Sequence, residues 1–421
     1  MTFNVQVSPS RSLIRDAQVS NSPMSKGFIE KAREKIQQCM SSPSFYRLTV
    51  RSVFTRWFAV RRTKQVFDLM AGFVNFQVLL TCLKLGVLDK AYNSPATLEE
   101  LSQHAHTSQK NLEPLVLSAV ALGLLEHRPL GRFGIGSLGL PVVAYEGIRA
   151  MVEHNGVLYK DMQDTEGLIK RTTQSQMNEY WPYAKTKNNL SETQTCEKNA
   201  DQTSVQIDGL DSAAANKNTG ADLFARYSEL MSASQNFVID EILNTYDFTD
   251  HKRMLDIGCG KGRFVSSVAN NYKHIEFELM DLPQVIQITA SKLKNSNFEN
   301  RLSFNPCSFK THPLPSNVDL VTMVRIAHDH SDDVVAALLR KIYLALPPKG
   351  TLLLAEPMAE SSGKGARHDA YFHFYLLAMG EGRLRTPELL SQMMLDAGFS
   401  QVRVLSNPMP IHAKILVAEK E

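Results

Sequence analysis

Three alternating glycines follow a short apolar run in the stretch MLDIGCGKGRF, Met254–Phe264. The run contains the acid Asp256, and the glycines are Gly258, Gly260 and Gly262. Glycine lets a backbone turn sharply and lets a ligand approach it closely. In a dinucleotide site the third glycine comes three residues after the second, and a pyrophosphate binds at the following helix N-terminus. Here the third glycine comes early and an acid stands beside the loop, which favours a cationic ligand over a phosphate.

A second acid, Asp281, stands where it can complete a nucleoside site. It lies nineteen residues after Gly262, in the segment LMDLP, at the end of the next predicted strand. A carboxylate at this place can accept hydrogen bonds from ribose hydroxyls. Adenosine joined to a charged amino acid, without phosphate, describes S-adenosylmethionine, so we predict that Gly258, Gly260 and Asp281 bind this cofactor. A purely structural glycine turn is the alternative interpretation.

The second candidate site is the segment VRIAHDHSDD, Val324–Asp333, which follows the fourth predicted strand. Ligands of open α/β sheets bind beyond the carboxyl ends of the strands, so His328 should face the bound ligand. Histidine can accept a proton near neutral pH, and we predict that His328 is a general base. A structural histidine and a metal cluster in HDHSDD are the alternatives. We predict no metal, because no second cluster of His or Cys supports a closed metal site.

Glu356 ends the fifth predicted strand, in LLLAEPM, at the same edge of the sheet. There it could orient the imidazole of His328 through a hydrogen bond, like the acid of a triad. A surface acid is the alternative interpretation. Asp332 and Asp333 stand at the predicted start of the next helix, where the helix dipole stabilises carboxylates.

Short apolar strands and helical stretches alternate from about residue 250 onwards. Such alternation predicts an α/β fold with a mostly parallel, Rossmann-like sheet and helices on both faces. The last two strands are joined only by SNPMPIHA, which is too short for a parallel crossover and predicts an antiparallel pair. The predicted strands are RMLDI, EFELMD, LSFNP, VDLVTMV, TLLLAE, VRVLS and KILVAE.

Residues 97–137 predict two helices followed by a hairpin, which is the order of a winged helix. Thr97 and Glu100 form a capping box for the first helix, and the glycines of LGRFGIGSLG mark the hairpin. The second helix would be the recognition helix of a DNA-binding protein, but it carries little charge, with Lys110 and Glu113 near its start. Phosphate contacts need Lys or Arg, so we predict no nucleic acid partner.

The composition is that of a globular protein, with 421 residues, 43% hydrophobic, 21% charged and a net charge of +3. This length allows two or three domains. Five cysteines, an odd number without a CxxC pair, suit free thiols in a reducing compartment. No apolar core of signal-peptide length begins the chain, so we predict a cytoplasmic protein. The apolar segment Phe67–Leu88 is interrupted by residues such as Asp68 and Lys84, and we predict a buried helix rather than a membrane span.

Residues 41–66 combine six Lys or Arg residues with interleaved aromatic residues and contain no acid. In a helix, this pattern is typical of a docking helix on the protein body or a partner subunit. A helix on an anionic membrane surface is the less favoured and compatible alternative, which would attach the protein peripherally to the inner membrane. Residues 187–220 are polar and small, and they predict a disordered insertion.

Several segments resemble the small-molecule O-methyltransferases of the caffeate and acetylserotonin type. They are LDIGCGKG, DLPQVI, AHDHSDD, LLLAEPM and LRTPELLSQMMLDAGF, and the resemblance covers roughly residues 65–421. A narrower set is similar to the carotenoid methyltransferases of phototrophic bacteria, the hydroxyneurosporene or demethylspheroidene O-methyltransferases. This set includes FDLMAGFVNFQVLL, MVEHNGVLY, YWPYA and DAYFHFYLLAMGEGRLRT.

The resemblance implies a class I methyltransferase domain over residues 237–421. It implies a mostly α, winged-helix domain for dimerisation and substrate enclosure over residues 41–236, preceded by a flexible tail and helix over residues 1–40. The partners it implies are a second copy of the chain and a hydrophobic small-molecule acceptor, in the narrow reading the tertiary hydroxyl of an acyclic carotenoid. A phenol, a hydroxyindole or a bacteriochlorophyll precursor is the alternative acceptor. A winged-helix regulator that senses S-adenosylmethionine is the non-enzymatic alternative.

On the matching positions, the resemblance implies His328 as the base with Glu356 beside it. It implies that Asp281 holds the ribose, Gly258 the methionine part and Phe309 the adenine region of the cofactor.

Three further positions carry expectations from the resemblance. Ser308 stands where the family usually has the Asp of a GGDF motif near the adenine, so adenine recognition should differ here. Leu384 stands where plant members carry a second glutamate, which argues against a triad with two acids. Arg325 is expected to contact the cofactor region.

Overall fold

The computed structural model describes residues 23–180, 235–360, 367–409 and 413–421. The described residues form two compact units, one up to Pro141 and the other from Val142 onwards. The insertion predicted over residues 187–220 lies outside the described residues.

The N-terminal unit is mostly helical and ends in a hairpin. Its elements are α1 (Pro23–Ser41), α2 (Pro43–Arg51), α3 (Val53–Lys84), α4 (Val87–Asn93), α5 (Leu98–His104), α6 (Gln109–Ala121), β1 (Leu125–Arg128) and β2 (Arg132–Ile135). The predicted capping box at the start of α5 is present, because the Thr97 hydroxyl accepts the Glu100 N–H at 3.2 Å and the Glu100 carboxylate accepts the Thr97 N–H at 2.9 Å. The predicted order of two helices and an antiparallel hairpin is confirmed.

The long helix α3 differs from its prediction as a buried helix. Its second half is buried at Val78, Leu80 and Leu83, but Phe67 is 64% exposed and Leu69 is 73% exposed. The prediction is therefore wrong for the first half of Phe67–Leu88, since the described part of one chain does not cover that face. By length and composition alone α3 could cross a membrane, although core helices of water-soluble proteins meet the same criteria.

The second unit contains a seven-stranded sheet of order β5-β4-β3-β6-β7-β9-β8. Its strands are β3 (Arg253–Ile257), β4 (Glu276–Asp281), β5 (Leu302–Pro306), β6 (Leu320–Val324), β7 (Thr351–Glu356), β8 (Gln401–Leu405) and β9 (Lys414–Glu419). The first five strands pair in parallel. β9 pairs antiparallel with β7 and with β8, as the short last connection predicts. Every residue of β6 and β7 is buried, because helices cover both faces of the sheet.

The helices of the second unit either precede the sheet in the chain or lie between its strands. They are α7 (Gly139–Ala144), which spans the division, α8 (Glu146–Asp161), α9 (Thr165–Lys170), α10 (Gln176–Tyr180), α11 (residues 235–245), α12 (Arg263–Asn271), α13 (Pro283–Leu293), α14 (Asp332–Ala345), α15 (Arg367–Met379) and α16 (Pro387–Ala397).

The division between the units falls at 141/142, whereas the resemblance implies a methyltransferase domain that begins at residue 237. The cause is a shared core. Leu158, Leu168 and Met177 of the earlier helices pack in one cluster with Leu376 and Met379 of α15. A helical composition before residue 180 therefore does not separate these helices from the sheet unit.

Candidate active site

The loop after β3 has the backbone that its glycines predict. Gly258 (φ 71°) and Gly260 (φ 53°) both lie in the left-handed region, which residues with a side chain rarely adopt. A Cβ at Gly258 would come within 2.2 Å of Ile326 Cδ1, whereas a Cβ at Gly260 would meet no atom within 4 Å. Gly258 is thus required by packing, and Gly260 leaves open space beside the loop where a ligand can approach.

Asp281, at the end of β4, binds this loop directly. One carboxylate oxygen accepts the Gly260 N–H at 2.9 Å, and the other accepts the Leu282 N–H at 2.7 Å. Asp281 also lines an open pocket of about 420 Å³ that continues into solvent. The lining residues are Gly258, Asp281, Leu282, Cys307, Ser308, Phe309 and Lys310. The structure therefore brings together the predicted cofactor residues of three strand ends.

The far side of this pocket is the turn after β5. Phe309 is buried and packs edge-on against His330, with ring centroids 5.3 Å apart. The Lys341 ammonium donates to the Phe309 carbonyl at 2.9 Å and to the Lys310 carbonyl at 3.0 Å. Ser308 lies in the pocket wall, and its hydroxyl accepts the Lys310 N–H at 3.3 Å, so it shapes the turn as well. An aromatic ring and a fixed turn suit the flat, apolar part of a nucleoside.

Asp256 is a buried acid between the two candidate loops. Its carboxylate accepts the Thr322 hydroxyl at 2.7 Å, which joins β3 to β6. Burial raises the pKa of Asp256 to about 7 despite this hydrogen bond, and the charge of Asp281 adds to the rise. Two neighbouring acids oppose a phosphate at this place and favour a ligand with positive charge.

The loop after β6 carries His328 in a short 3₁₀ turn, Ala327–Asp329. Oε2 of Glu356, the last residue of β7, accepts the His328 backbone N–H at 2.9 Å and lies 3.3 Å from Nδ1. Oδ1 of Asp329 lies 3.3 Å from Nε2 on the other side of the ring. The buried imidazole is thus placed between two carboxylates.

The electrostatics of His328 follow from these neighbours. Burial alone would lower the pKa of His328, but the carboxylates of Asp329 and Glu356 outweigh it and raise the pKa above its ordinary value. Burial raises the pKa of Asp329 in turn, against the effect of His328. The imidazole of His328 can therefore hold a proton that arrives from a bound hydroxyl, which is what a general base must do.

Arg325 lies in the left-handed region (φ 60°), and its N–H donates to the Ala355 carbonyl at 2.8 Å. Its charge acts on groups of α8 and α15. Burial lowers the pKa of His154 to about 4, with a further contribution from Arg325. Burial raises the pKa of Tyr371 to about 12, although its hydroxyl donates to Asn155 Oδ1 at 2.7 Å and Arg325 opposes the rise. Arg325 was expected near the cofactor; it acts on these two helices and on His328, and it is not in the pocket lining.

Two residues of the site escape the sequence analysis. Asp329 adjoins His328 in the HDHSDD segment, and this adjacency was the available signal. Asp329 supplies a second carboxylate to the imidazole. Leu384, where plant members carry a second glutamate, is a buried apolar residue and supplies none. Arg385 donates to the Ala327 and His330 carbonyls at 2.7 Å each, and no local pattern reveals such a long-range contact. Among the described residues, no group of His, Cys, Asp and Glu is arranged to hold a metal ion.

Solved structures with this fold define the class of protein. The chain matches human N-acetylserotonin methyltransferase in complex with S-adenosylmethionine with a TM-score of 0.63 and 19% identity, over 85% of this chain and 97% of that one. It matches PigF with S-adenosylhomocysteine with a TM-score of 0.62 and 19% identity, over 85% and 99% of the two chains. The fold is that of a class I S-adenosylmethionine-dependent methyltransferase.

Sequence comparisons narrow the class. Residues 67–135 match the O-methyltransferase dimerisation domain, and residues 207–400 match the O-methyltransferase domain. The demethylspheroidene O-methyltransferase of Rhodobacter capsulatus is 32% identical over 89% of this chain and 86% of that protein. The one of Cereibacter sphaeroides is 30% identical over 90% and 92%. The acetylserotonin O-methyltransferase of Gallus gallus is 24% identical over 80% and 92%.

The chain belongs to the family of S-adenosylmethionine-dependent O-methyltransferases that carry this dimerisation domain. It is an enzyme, and its methyl donor is S-adenosylmethionine. The open space at Gly260 and the carboxylate of Asp281 fit this donor.

Proposed function

We propose that this O-methyltransferase methylates the tertiary hydroxyl of a hydroxylated acyclic carotenoid, of the demethylspheroidene or hydroxyneurosporene type. The observation that carries the proposal is the identity of 32% and 30% with two demethylspheroidene O-methyltransferases over about nine-tenths of the chain. The acetylserotonin O-methyltransferase of Gallus gallus has a lower sequence identity to this chain, 24%, which favours the carotenoid over acetylserotonin as the model for the acceptor.

The helix α15 supports an apolar acceptor. It combines buried residues such as Tyr375 and Met379 with the half-buried Phe372 and the exposed edge of Tyr371. Tyr371 packs edge-on against Phe372 at 5.2 Å and stacks with Tyr375 at 6.0 Å. A polyene chain needs an apolar wall of this kind, while its single hydroxyl needs polar groups only at one end.

The donor supplies a methyl group on a positively charged sulfur when it is bound. We assign Gly258, Gly260 and Asp281 to its methionine and ribose parts, and Ser308 and Phe309 to its adenine side. Bound by these residues, the donor would present its methyl group to the acceptor oxygen, and well-oriented reactants reach effective molarities of about 10⁵–10⁸ M.

His328 is the proposed base, with Glu356 fixing its orientation. A tertiary alcohol has a pKa far above that of an imidazole, so its full deprotonation before methyl transfer is excluded on energetic grounds. His328 therefore orients the hydroxyl and accepts its proton during or after transfer, a contribution of roughly 10²–10⁴-fold. The carboxylates of Glu356 and Asp329, each 3.3 Å from a ring nitrogen, stabilise the protonated ring that results.

The proposed homodimer uses the exposed face of α3. Phe67, Leu69 and Phe73 are each more than 60% exposed and lie within residues 67–135, which match the dimerisation domain. An apolar face of this size is normally covered by a partner, and a second copy of this chain is the partner we propose. Sedimentation of the full chain should therefore give a dimer.

The part of α3 before residue 67 lies outside the dimerisation match and has a different character. Phe54 is 95% exposed and Trp57 is 67% exposed. Arg61 lies over the Trp57 ring at 5.6 Å, and Arg62 lies over the Phe58 ring at 5.1 Å. Exposed aromatic rings among cations suit an anionic lipid surface, so we propose that a cytoplasmic enzyme docks peripherally on the inner membrane, where a carotenoid resides.

Vesicle flotation tests this docking. The chain should float with vesicles that contain anionic lipid and remain at the bottom with neutral vesicles or at high salt. Replacing Phe54 and Trp57 by Ala should abolish flotation, whereas Leu344→Ala, at an exposed apolar position of α14, should not change it. Flotation of the double variant at the parental level would contradict the docking role.

The acceptor is tested by methyl transfer from labelled S-adenosylmethionine in detergent, with EDTA present. Equal amounts of 1-hydroxyneurosporene and a simple catechol are offered in parallel. Label in the carotenoid alone is the expected result. Label in the catechol alone would overturn the carotenoid proposal and leave the O-methyltransferase activity intact.

A further inference from the structure

Arg385 is a buried cation beside the loop that carries His328, with 1% of its surface exposed. Its guanidinium donates to the Ala327 carbonyl at 2.7 Å and to the His330 carbonyl at 2.7 Å. A charge is buried at acceptable cost only when it is paired and hydrogen-bonded. The carbonyls on the two sides of His328 supply the hydrogen bonds of Arg385, and the carboxylate of Asp332 supplies the charge partner at 2.8 Å.

The backbone next to Arg385 reaches His328 itself. The Arg383 N–H donates to the His328 carbonyl at 2.8 Å. Gly382 adopts φ 101°, and a Cβ there would lie 2.3 Å from the same carbonyl oxygen. We call residues Gly382–Arg385 the strap. The strap, a segment of four residues, therefore donates hydrogen bonds to the carbonyls of Ala327, His328 and His330.

Asp332, the first residue of α14, fixes the strap to the start of that helix. Its carboxylate accepts the Arg385 Nε–H at 2.8 Å and also pairs with Arg383. Burial alone would raise the pKa of Asp332, but Arg385 and Arg383 lower it, so the acid stays ionised at neutral pH. The loop is thus bounded by one ion-pair network on the side away from Glu356.

We propose that the strap, through Arg385, sets the orientation of His328 for proton transfer, so that Arg385 is a positioning residue of the reaction. The distances support this assignment. Both ring nitrogens of His328 lie 3.3 Å from their carboxylates, which is long for a charge-assisted hydrogen bond. The bonds that hold the loop backbone measure 2.7–2.9 Å. The ring is placed mainly by its backbone, and the strap holds that backbone.

The strap also follows α15 directly through Gly380, which adopts φ 88°. The proposed acceptor helix and the loop of the proposed base are therefore joined by two residues, Gly380 and Glu381. This inference rests on the proposed role of His328 as the base.

The matched control is Arg301, another arginine that binds three backbone carbonyls. Its guanidinium donates to Tyr272 at 2.9 Å, to Ile275 at 2.7 Å and to Ala269 at 2.8 Å. Arg301 precedes β5, at the amino ends of the parallel strands and away from the two loops. Lysine at either position keeps the charge but loses the planar fork of donors.

We test the strap with Arg385→Lys and Arg301→Lys in the full chain. Arg385→Lys should lower kcat by about 10²-fold, the effect of a displacement of about 1 Å in an active site, with unchanged Kd for S-adenosylmethionine. Arg301→Lys should keep kcat within about twofold of the parent, even if its melting temperature falls as much as that of Arg385→Lys.

A pH profile separates positioning from general loss of structure. The charged groups that face His328 are Glu356 on β7 and, in its own loop, Asp329, Arg325 and His330. Because the carboxylates hold the pKa of His328 above its ordinary value, a loosened loop lets the pKa fall towards that value. The acid limb of the kcat/KM profile should therefore move to lower pH in Arg385→Lys and stay in place in Arg301→Lys.

Two further variants keep the outcomes distinct. Asp332→Asn, at a partly exposed position, removes the charge of the network but leaves the Arg385 bonds to the loop carbonyls, so it should lower the melting temperature less than Arg385→Lys. It should show a smaller loss of kcat with the same pH shift, which tests the strap even where Arg385→Lys does not fold. His328→Ala with full activity would overturn the base itself. An inactive His328→Ala, together with strap variants that keep the parental pH profile, would overturn the strap and leave the base.

Discussion

The two loops at the carboxyl edge of the sheet are built in opposite ways. The loop after β3 depends on residues without side chains, since Gly258 and Gly260 adopt left-handed backbone angles and the Asp281 carboxylate accepts the Gly260 N–H. The loop after β6 depends on side chains from distant segments, with Glu356 on one side and Arg385 on the other. A binding loop needs a bare surface, whereas a loop that moves a proton needs one ring held in one orientation.

A comparison of this kind predicts that changes in the two loops affect different quantities. Changes in the loop after β3 should alter the affinity for S-adenosylmethionine, and changes in the loop after β6 should alter turnover.

His328→Ala should lower kcat by about 10²–10⁴-fold, the usual contribution of a general base. The Kd for S-adenosylmethionine, measured by calorimetry, should stay within about twofold of the parent because His328 is not in the pocket lining. Turnover at the parental rate would contradict the role of His328 as the base. A weaker affinity for S-adenosylmethionine would contradict the separation of binding and turnover between the two loops.

Asp256→Asn tests the strand contact that joins the loops. The folded pKa of about 7 lies above the unfolded value of 3.8, so the folded state binds more protons in between and stability falls as pH rises through this window. The variant lacks this fall. Without ligand, its free energy of unfolding should exceed that of the parent at pH 8 by up to about 4 kcal/mol, as urea titrations at pH 5 and 8 can measure. Parallel pH dependences of the two proteins would show that Asp256 titrates normally.

Asp281→Asn should weaken S-adenosylmethionine binding by roughly 10–100-fold, because hydrogen bonds to a charged group contribute about 1.5–3 kcal/mol. Asparagine keeps one acceptor oxygen, for the Gly260 N–H, and loses the acceptor for the Leu282 N–H, so thermal unfolding should be measured beside the affinity to separate lost stability from lost binding. Under saturating donor, kcat should change little, in contrast to His328→Ala. Calorimetry gives the affinity and initial rates give kcat; an unchanged affinity would contradict the ribose assignment.

Gly260→Ala should lower the free energy of unfolding by only about 1–2 kcal/mol, the cost of a left-handed residue with a side chain. No atom lies within 4 Å of the added Cβ. Gly258→Ala is the matched comparison and should cost more, because its Cβ would meet Ile326 Cδ1 at 2.2 Å. Equal losses in thermal unfolding would mean that Ile326 moves aside.

The strands of the sheet were readable from the sequence because each is a short apolar run between helices, and the antiparallel last pair followed from a short connection. Gly258, Asp281, His328 and Glu356 could be placed because each ends or follows a strand, and strand ends of a parallel sheet meet at one edge. Contacts across long distances could not be placed. Arg385 has no local pattern that sets it apart from other arginines.

The exposed half of α3 and the grouping of α8–α10 with the sheet unit were missed for a related reason. An apolar helix segment has the same composition whether its own chain or a partner covers it, as Phe67 and Leu69 show. Helical composition likewise does not say which core a helix joins. Leu158 and Met177 are assigned only by their packing against α15.

The position of β9 in the sheet has a consequence for synthesis of the protein. β9 lies between β7 and β8, and Glu356 at the end of β7 is in register with Lys414 of β9. On the ribosome, β3 to β7 emerge first, and β7 remains an open edge until residues 414–419 have been translated. An unpaired edge strand with an apolar run such as residues 352–355 is a site for mispairing with other chains. The edge therefore stays open to mispairing while the sixty or so residues from the end of β7 to the end of β9 are translated, and a chain that stalls there would leave the strand of Glu356 unpaired.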